Sequence, residues 1–184
     1  MKKIITTCLL ILFSTITHAG EPVDFAINPS DSNISFRTIY EKDEVKGNFA
    51  KFNGEIKFHP EALDKSKVII NIETGSVTST YDYAVDTLTT EGWFYPSKFA
   101  HAVFESSSFK SLGDNKYEVD GFLTITDNKQ PLKLNFTLNK FDAKSAEVTG
   151  TAKLKRSDYK FGWEETDKLQ DEVELSFKVS ATAK

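Results

Sequence analysis

Few side chains of this chain have the type and spacing that chemistry requires. Its cysteine count is one, Cys8, and its histidines are three. His18 and Cys8 fall in the amino-terminal apolar stretch, which leaves His59 and His101. These two have no partner four residues away and no carboxylate at a metal-ligand spacing, so they read as a turn residue and a strand-start residue. No Gly-x-Ser-x-Gly elbow, P-loop or Gly-x-Gly-x-x-Gly is present. Carboxylates are more numerous. Glu164, Glu165 and Asp167 follow Trp163, and Asp86 and Glu91 lie in a non-alternating segment. Glycoside hydrolysis would need two of them facing one cleft, one with a raised pKa. No spacing fixes such a pair, and acid runs of this kind are solvated surface. The two sequons, Asn33-Ile34-Ser35 and Asn135-Phe136-Thr137, fall mid-strand, where glycosylation is awkward. What remains is aromatic: 15 phenylalanines, 6 tyrosines and 2 tryptophans.

The elements that place these aromatics are strands. Phe52, Ile56 and Phe58 alternate with Asn53, Glu55 and Lys57. Leu132, Leu134, Phe136 and Leu138 alternate with Lys133, Asn135 and Thr137. Ala146, Val148, Ala152 and Leu154 repeat the pattern, as do Val173, Leu175, Phe177 and Val179. A period of two puts each apolar set on one face of a pleated strand. Many strands with one greasy and one wet face close into a sandwich or barrel. Strands are expected over 25–28, 33–39, 68–74, 117–125, 132–138, 146–154 and 172–181. Residues 45–49 and 52–58 read as one long strand bent near Gly47 or Gly54. Asp127 to Pro131 and Asp142 to Ser145 read as hairpin loops. Between Ser76 and Ala100 the alternation stops. Tyr81, Tyr83, Ala84, Val85, Leu88 and Trp93 fit a short amphipathic helix ended by Gly92 and Pro96. The alternation establishes an apolar interior. Whether that interior is filled or hollow stays open at this point, because aromatics fill cores everywhere.

The amino terminus reads as an export signal: Lys2 and Lys3, an apolar stretch from Ile4 to Ile16, then Thr17-His18-Ala19. Cleavage after Ala19 leaves one domain, 20–184, without cysteine, and excludes disulfides and thiol chemistry. The formal charge of −4 makes nucleic acid or an anionic lipid surface a poor partner.

Several stretches resemble the YceI-like family, lipocalin-like periplasmic polyisoprenoid-binding proteins. They are Phe25 to Phe36, Val45 to Ile56, Leu88 through Phe94 with Lys98-Phe99, Val119 to Thr124 with Gln130-Pro131-Leu132, and Asp171-Glu172-Val173. Arg156-Ser157-Asp158-Tyr159-Lys160-Phe161-Gly162 is similar to the family's Arg-Ser-Asp-Phe-x-x-Gly. Asp31, Thr38 and Thr87 stand where relatives often carry histidine, and Ala100 where they carry proline. The resemblance implies an all-β fold, an eight-stranded antiparallel lipocalin-like barrel with a short helical insert covering one end. It also implies a cavity for a long amphiphile: a polyisoprenoid, quinone or fatty-acid derivative, held non-covalently, with no covalent cofactor and no metal.

On that reading the protein is a periplasmic carrier and not an enzyme, in transient contact with a membrane or membrane protein. Its apolar lining is expected from Phe36, Phe49, Phe52, Ile56, Phe58, Ile70, Ile72, Phe104, Leu123, Leu134 and Phe136. Leu88, Trp93 and Phe94 are expected to edge the cavity, and Tyr159, Phe161 and Trp163 its mouth. The alternatives are a filled barrel acting through protein contacts and a hydrolase with carboxylates at the mouth.

Overall fold

Alternation becomes wall. In the computed structural model, which describes residues 20–81, 83–162 and 167–184, β8 (Lys116–Ile125) buries Tyr117, Val119, Leu123 and Ile125 and turns Asp120 and Phe122 outward. Its neighbours are β7 (His101–Gly113) and β9 (Asn128–Phe141). The meander continues through β10 (Ser145–Lys155) to β11 (Glu172–Ala183), paired along its length from Ser145↔Thr182 to Lys155↔Glu172. Every pairing is antiparallel, and each strand's odd or even set faces one interior.

The first half of the chain builds the other three wall positions from broken strands. β1 (Val23–Ile27) and β2 (Asn33–Tyr40) follow one line along β11, interrupted by a 3-10 turn at Pro29–Asp31. β3 (Asp43–Phe49) and β4 (Phe52–Phe58) form the next line, cornered at Ala50 and Lys51. β5 (Lys67–Glu73) and β6 (Val77–Ser79) form the third, broken at Thr74–Ser76. β5 joins β7, and β1 and β2 join β11, so eight wall positions close into a barrel without a free edge on that circuit. The expectation of one bent strand over 45–58 thus describes the wall correctly, with the bend between the two glycines.

Close approach explains two glycines. Gly47 sits opposite Phe36 and Gly150 opposite Phe177, and a Cβ on either would collide with the facing ring. The missing side chain lets each ring lie flat across the neighbouring strand.

Three local expectations are corrected. The helix is a single short turn, α1 (Ala84–Leu88), ended at Thr89 well before Gly92. Thr87, Thr89 and Thr90 fold their hydroxyls back onto backbone carbonyls, which competes with helix propagation. The loop expected over 127–131 is only a tight turn, and Pro131 lies inside β9 opposite Phe122. Proline is tolerated there because β10 begins pairing with β9 only at Leu134. Residues 77–79, expected to lie in the helical insert, form β6.

Candidate functional site

The inward sets enclose a cavity of about 540 Å³. That is mid-range for sites holding one small molecule, roughly 300–1,000 Å³. Of the residues expected to line it, Phe36, Phe49, Ile56, Phe58, Ile70, Ile72, Phe104, Leu123, Leu134 and Phe136 are on its wall. Leu88, Trp93, Phe94, Tyr159 and Phe161 are there too. Phe52 is not. It is buried at the first position of β4, opposite Ile72, beside a shallow surface cleft with Pro29, Lys51 and His101. Parity assigns its face correctly, but the void does not extend to the corner at Ala50 and Lys51. Trp163, with Glu164 and Glu165, lies outside the described residues.

One end of the cavity is shut by rings. Phe58 packs against Phe109, Tyr117, Phe136 and Phe141 with centroids 5.7–6.0 Å apart. Edge contacts of this kind add to plain burial. His59, half-buried, stacks edge-on against Phe141 and accepts the Glu61 amide at Nδ1. His101 is exposed at the start of β7.

The other end is covered by the segment between β6 and β7. Leu88, Trp93 and Phe94 hang inward from it, and Phe94 stands 5.3 Å from Phe49. The turn after β10 holds this cover in place. Phe161 lies 4.5 Å from Phe94 and 5.2 Å from Trp93, and the Gly162 amide donates to Gly92 O. Gly162 has φ +58 and leaves no room for a Cβ beside the Trp93 ring. Exposed Tyr81 and Tyr83 belong to the lining, so the cavity reaches the surface beside α1.

Sequence reasoning missed the role of Arg156, although it singled out its stretch. Only 5% exposed, it borders a largely apolar cavity. Its guanidinium donates to four carbonyls: Nε to Gln170, Nη1 to Phe161 and Gly162, Nη2 to Leu169. The fork shape of arginine suits this, since one group can gather carbonyls from two chain segments. The charge therefore ties the 156–162 turn to the lead-in of β11. A polar residue heading an apolar-aromatic turn was the available signal.

Tyr159 is 2% exposed, and its Oη has no hydrogen-bond partner among the described residues. Burial, with the nearby Asp158 charge, pushes its phenol up to about 12. Among the described residues, no carboxylate lines the cavity and no group of three metal-ligating side chains exists.

Three comparisons bear on this barrel. The family model for a YceI-like domain matches residues 25–181. A UPF0312 protein of Vibrio cholerae is 25% identical over 167 residues, covering 86% of this chain and 88% of the relative. The crystal structure of Burkholderia cenocepacia BcnA superimposes with a TM-score of 0.79 at 26% identity, over 85% of this chain and 99% of that one. A polyisoprenoid binding domain from Saccharophagus degradans, implicated in plant cell wall breakdown, shares the fold. Its TM-score is 0.70 at 12% identity, over 88% of this chain and 99% of that domain.

Proposed function

The chain belongs to the YceI-like family, and from that premise we propose that it is a periplasmic binding protein that carries a long-chain amphiphile in its barrel. The observation that carries this reading is a closed wall around a largely apolar cavity that reaches the surface beside α1. Each CH₂ taken from water into such a space is worth about 0.8 kcal/mol. Transfer from a bilayer is nearly neutral in apolar terms, which suits loading and release rather than trapping. The ligand is a polyisoprenoid, quinone or fatty-acid derivative, and the fold shared with the polyisoprenoid binding domain of S. degradans supports that class. The protein acts by binding, without covalent chemistry of its own. Export is supported by Lys2, Lys3, the apolar stretch and Thr17-His18-Ala19, with residues 1–19 removed.

The test is native mass spectrometry, with solvent extraction, of the protein purified from the periplasm. A co-purifying long-chain lipid at near-equimolar amount is expected. No such lipid, together with no uptake of a polyprenyl or quinone probe, rejects the carrier.

A further inference from the structure

The cavity is chemically lopsided. Its ring-packed end, around Phe25, Phe58 and Phe109, is lined by hydrocarbon, while most of its polar side chains lie toward the covered end; Ser176, mid-way along β11, is hydrogen-bonded to Ser35 Oγ. Most of those are already committed or wet. Thr38 Oγ1 donates to Glu172 O, and Thr87 Oγ1 to Tyr83 O. Arg156 is engaged with four carbonyls, and Tyr83 is 76% exposed to water. Tyr159 is the exception. It is 98% buried, it lines the cavity, and its hydroxyl has neither solvent contact nor a partner among the described residues. A buried hydroxyl without a partner is costly, and a binding partner that supplies the missing acceptor recovers that cost on binding.

We propose that Tyr159 Oη is the polar anchor of the cavity, donating one hydrogen bond to an uncharged oxygen acceptor on the ligand head, a quinone, ester or amide carbonyl. The tail then runs toward Phe58. This deepens the carrier reading and rests on it. A neutral head follows from the donor set. A single phenol serves one carbonyl lone pair, whereas a phosphate would need several donors, and the one buried guanidinium is engaged elsewhere. The phenol stays protonated across the physiological range, so it remains a donor. Tyr159 contributes to the cavity wall while its Oη is covered, so an acceptor entering from the cavity reaches Oη only by moving the side chains that cover it.

Tyr159→Phe tests this with little change of shape. Two probes compete with N-phenyl-1-naphthylamine for the wild-type protein and the variant. Decylubiquinone carries carbonyls, and dodecylbenzene has a similar ring and tail with no oxygen. The variant is expected to lose about 2- to 10-fold in decylubiquinone affinity, the worth of one net hydrogen bond. Its dodecylbenzene affinity is expected to stay within about twofold, since burial is unchanged. The infrared carbonyl band of bound decylubiquinone is expected at lower frequency in the wild type than in Tyr159→Phe. The ligand-free variant is expected to melt no lower than the wild type, because it loses an unpaired group. Equal loss for both probes, or no loss with an unshifted band, overturns the anchor while leaving the carrier standing. Uptake of neither probe by the wild type overturns the carrier and the anchor with it.

Discussion

Arg156→Leu should loosen the cover of the cavity by a calculable amount. The guanidinium is bonded to Phe161 O at 3.0 Å, Gly162 O at 2.7 Å, Leu169 O at 3.0 Å and Gln170 O at 3.3 Å. Gln170 is exposed and Leu169 only half-buried, so their carbonyls find water when the donor goes. Gly162 is buried and Phe161 half-buried beneath Trp93 and Phe94, so their carbonyls do not. Two stranded acceptors at about 1–3 kcal/mol each give a loss of about 2–6 kcal/mol. For a domain of this size a kilocalorie is worth roughly 2–4 °C, so Tm should fall by about 4–24 °C. Arg156→Lys keeps the charge but not the fork, and should recover less than half of that loss. The assay is thermal unfolding by circular dichroism, with hydrogen exchange at the Phe161 and Gly162 amides as the local readout. A Tm within about 2 °C of wild type in Arg156→Leu, with unchanged protection of those amides, would refute the clamp.

Other outcomes follow from the same geometry. Leu134→Arg should abolish probe uptake because an unpaired charge inside an apolar wall is costly, whereas Phe52→Leu should lower Tm and leave probe affinity unchanged. A drop in affinity for Phe52→Leu would show that the cavity extends to that corner. Gly162→Ala should lose about 1–3 kcal/mol from its left-handed backbone and the clash with Trp93; chemical denaturation followed by tryptophan emission measures the loss. Acid stability turns on carboxylates such as Asp142, held below the usual range by the Lys144 and Ser145 amides. Its folded pKa is the lower one, so its contribution is present above the unfolded value near 4 and lost as pH falls through the folded value. Asp142→Ala should therefore reduce stability at pH 7 and reduce it less as pH falls toward 2, and an equal loss at both would mean that the turn owes nothing to the carboxylate's charge.

Much of the wall was legible because a side-chain period of two is a local property. Leu132, Leu134, Phe136 and Leu138 declare their face without reference to any other strand. Depth along the barrel is not local, which is why Phe52 shares the parity of Ile56 and yet stands off the cavity. The helix is shorter than its pattern suggests because Tyr81, Ala84, Val85 and Leu88 keep helical spacing while Thr89 and Thr90, which follow, bond their hydroxyls to the backbone. The hairpin reading of Pro131 fails because a proline's tolerance depends on whether its missing donor faces a partner, and that is set by where the β9–β10 pairing stops, at Ala152↔Leu134. Arg156 and Tyr159 stood within a noted stretch. Their roles depend on what surrounds them in space: the carbonyls of Leu169 and Gln170, and the lack of a partner for Oη among the described residues.

The pairing of β11 with both β10 and the β1–β2 line sets an order on assembly. Until Glu172–Ala183 docks, a chain emerging from its amino end exposes two raw hydrogen-bonding margins, on β2 and β10, with the greasy faces of seven wall positions behind them. Such margins invite pairing between molecules. Registers joining residues as distant as Phe25 and Ala183 also make ring closure slow. Aggregation of any truncation lacking the final strand is the expected consequence of a cylinder whose seam is sewn last.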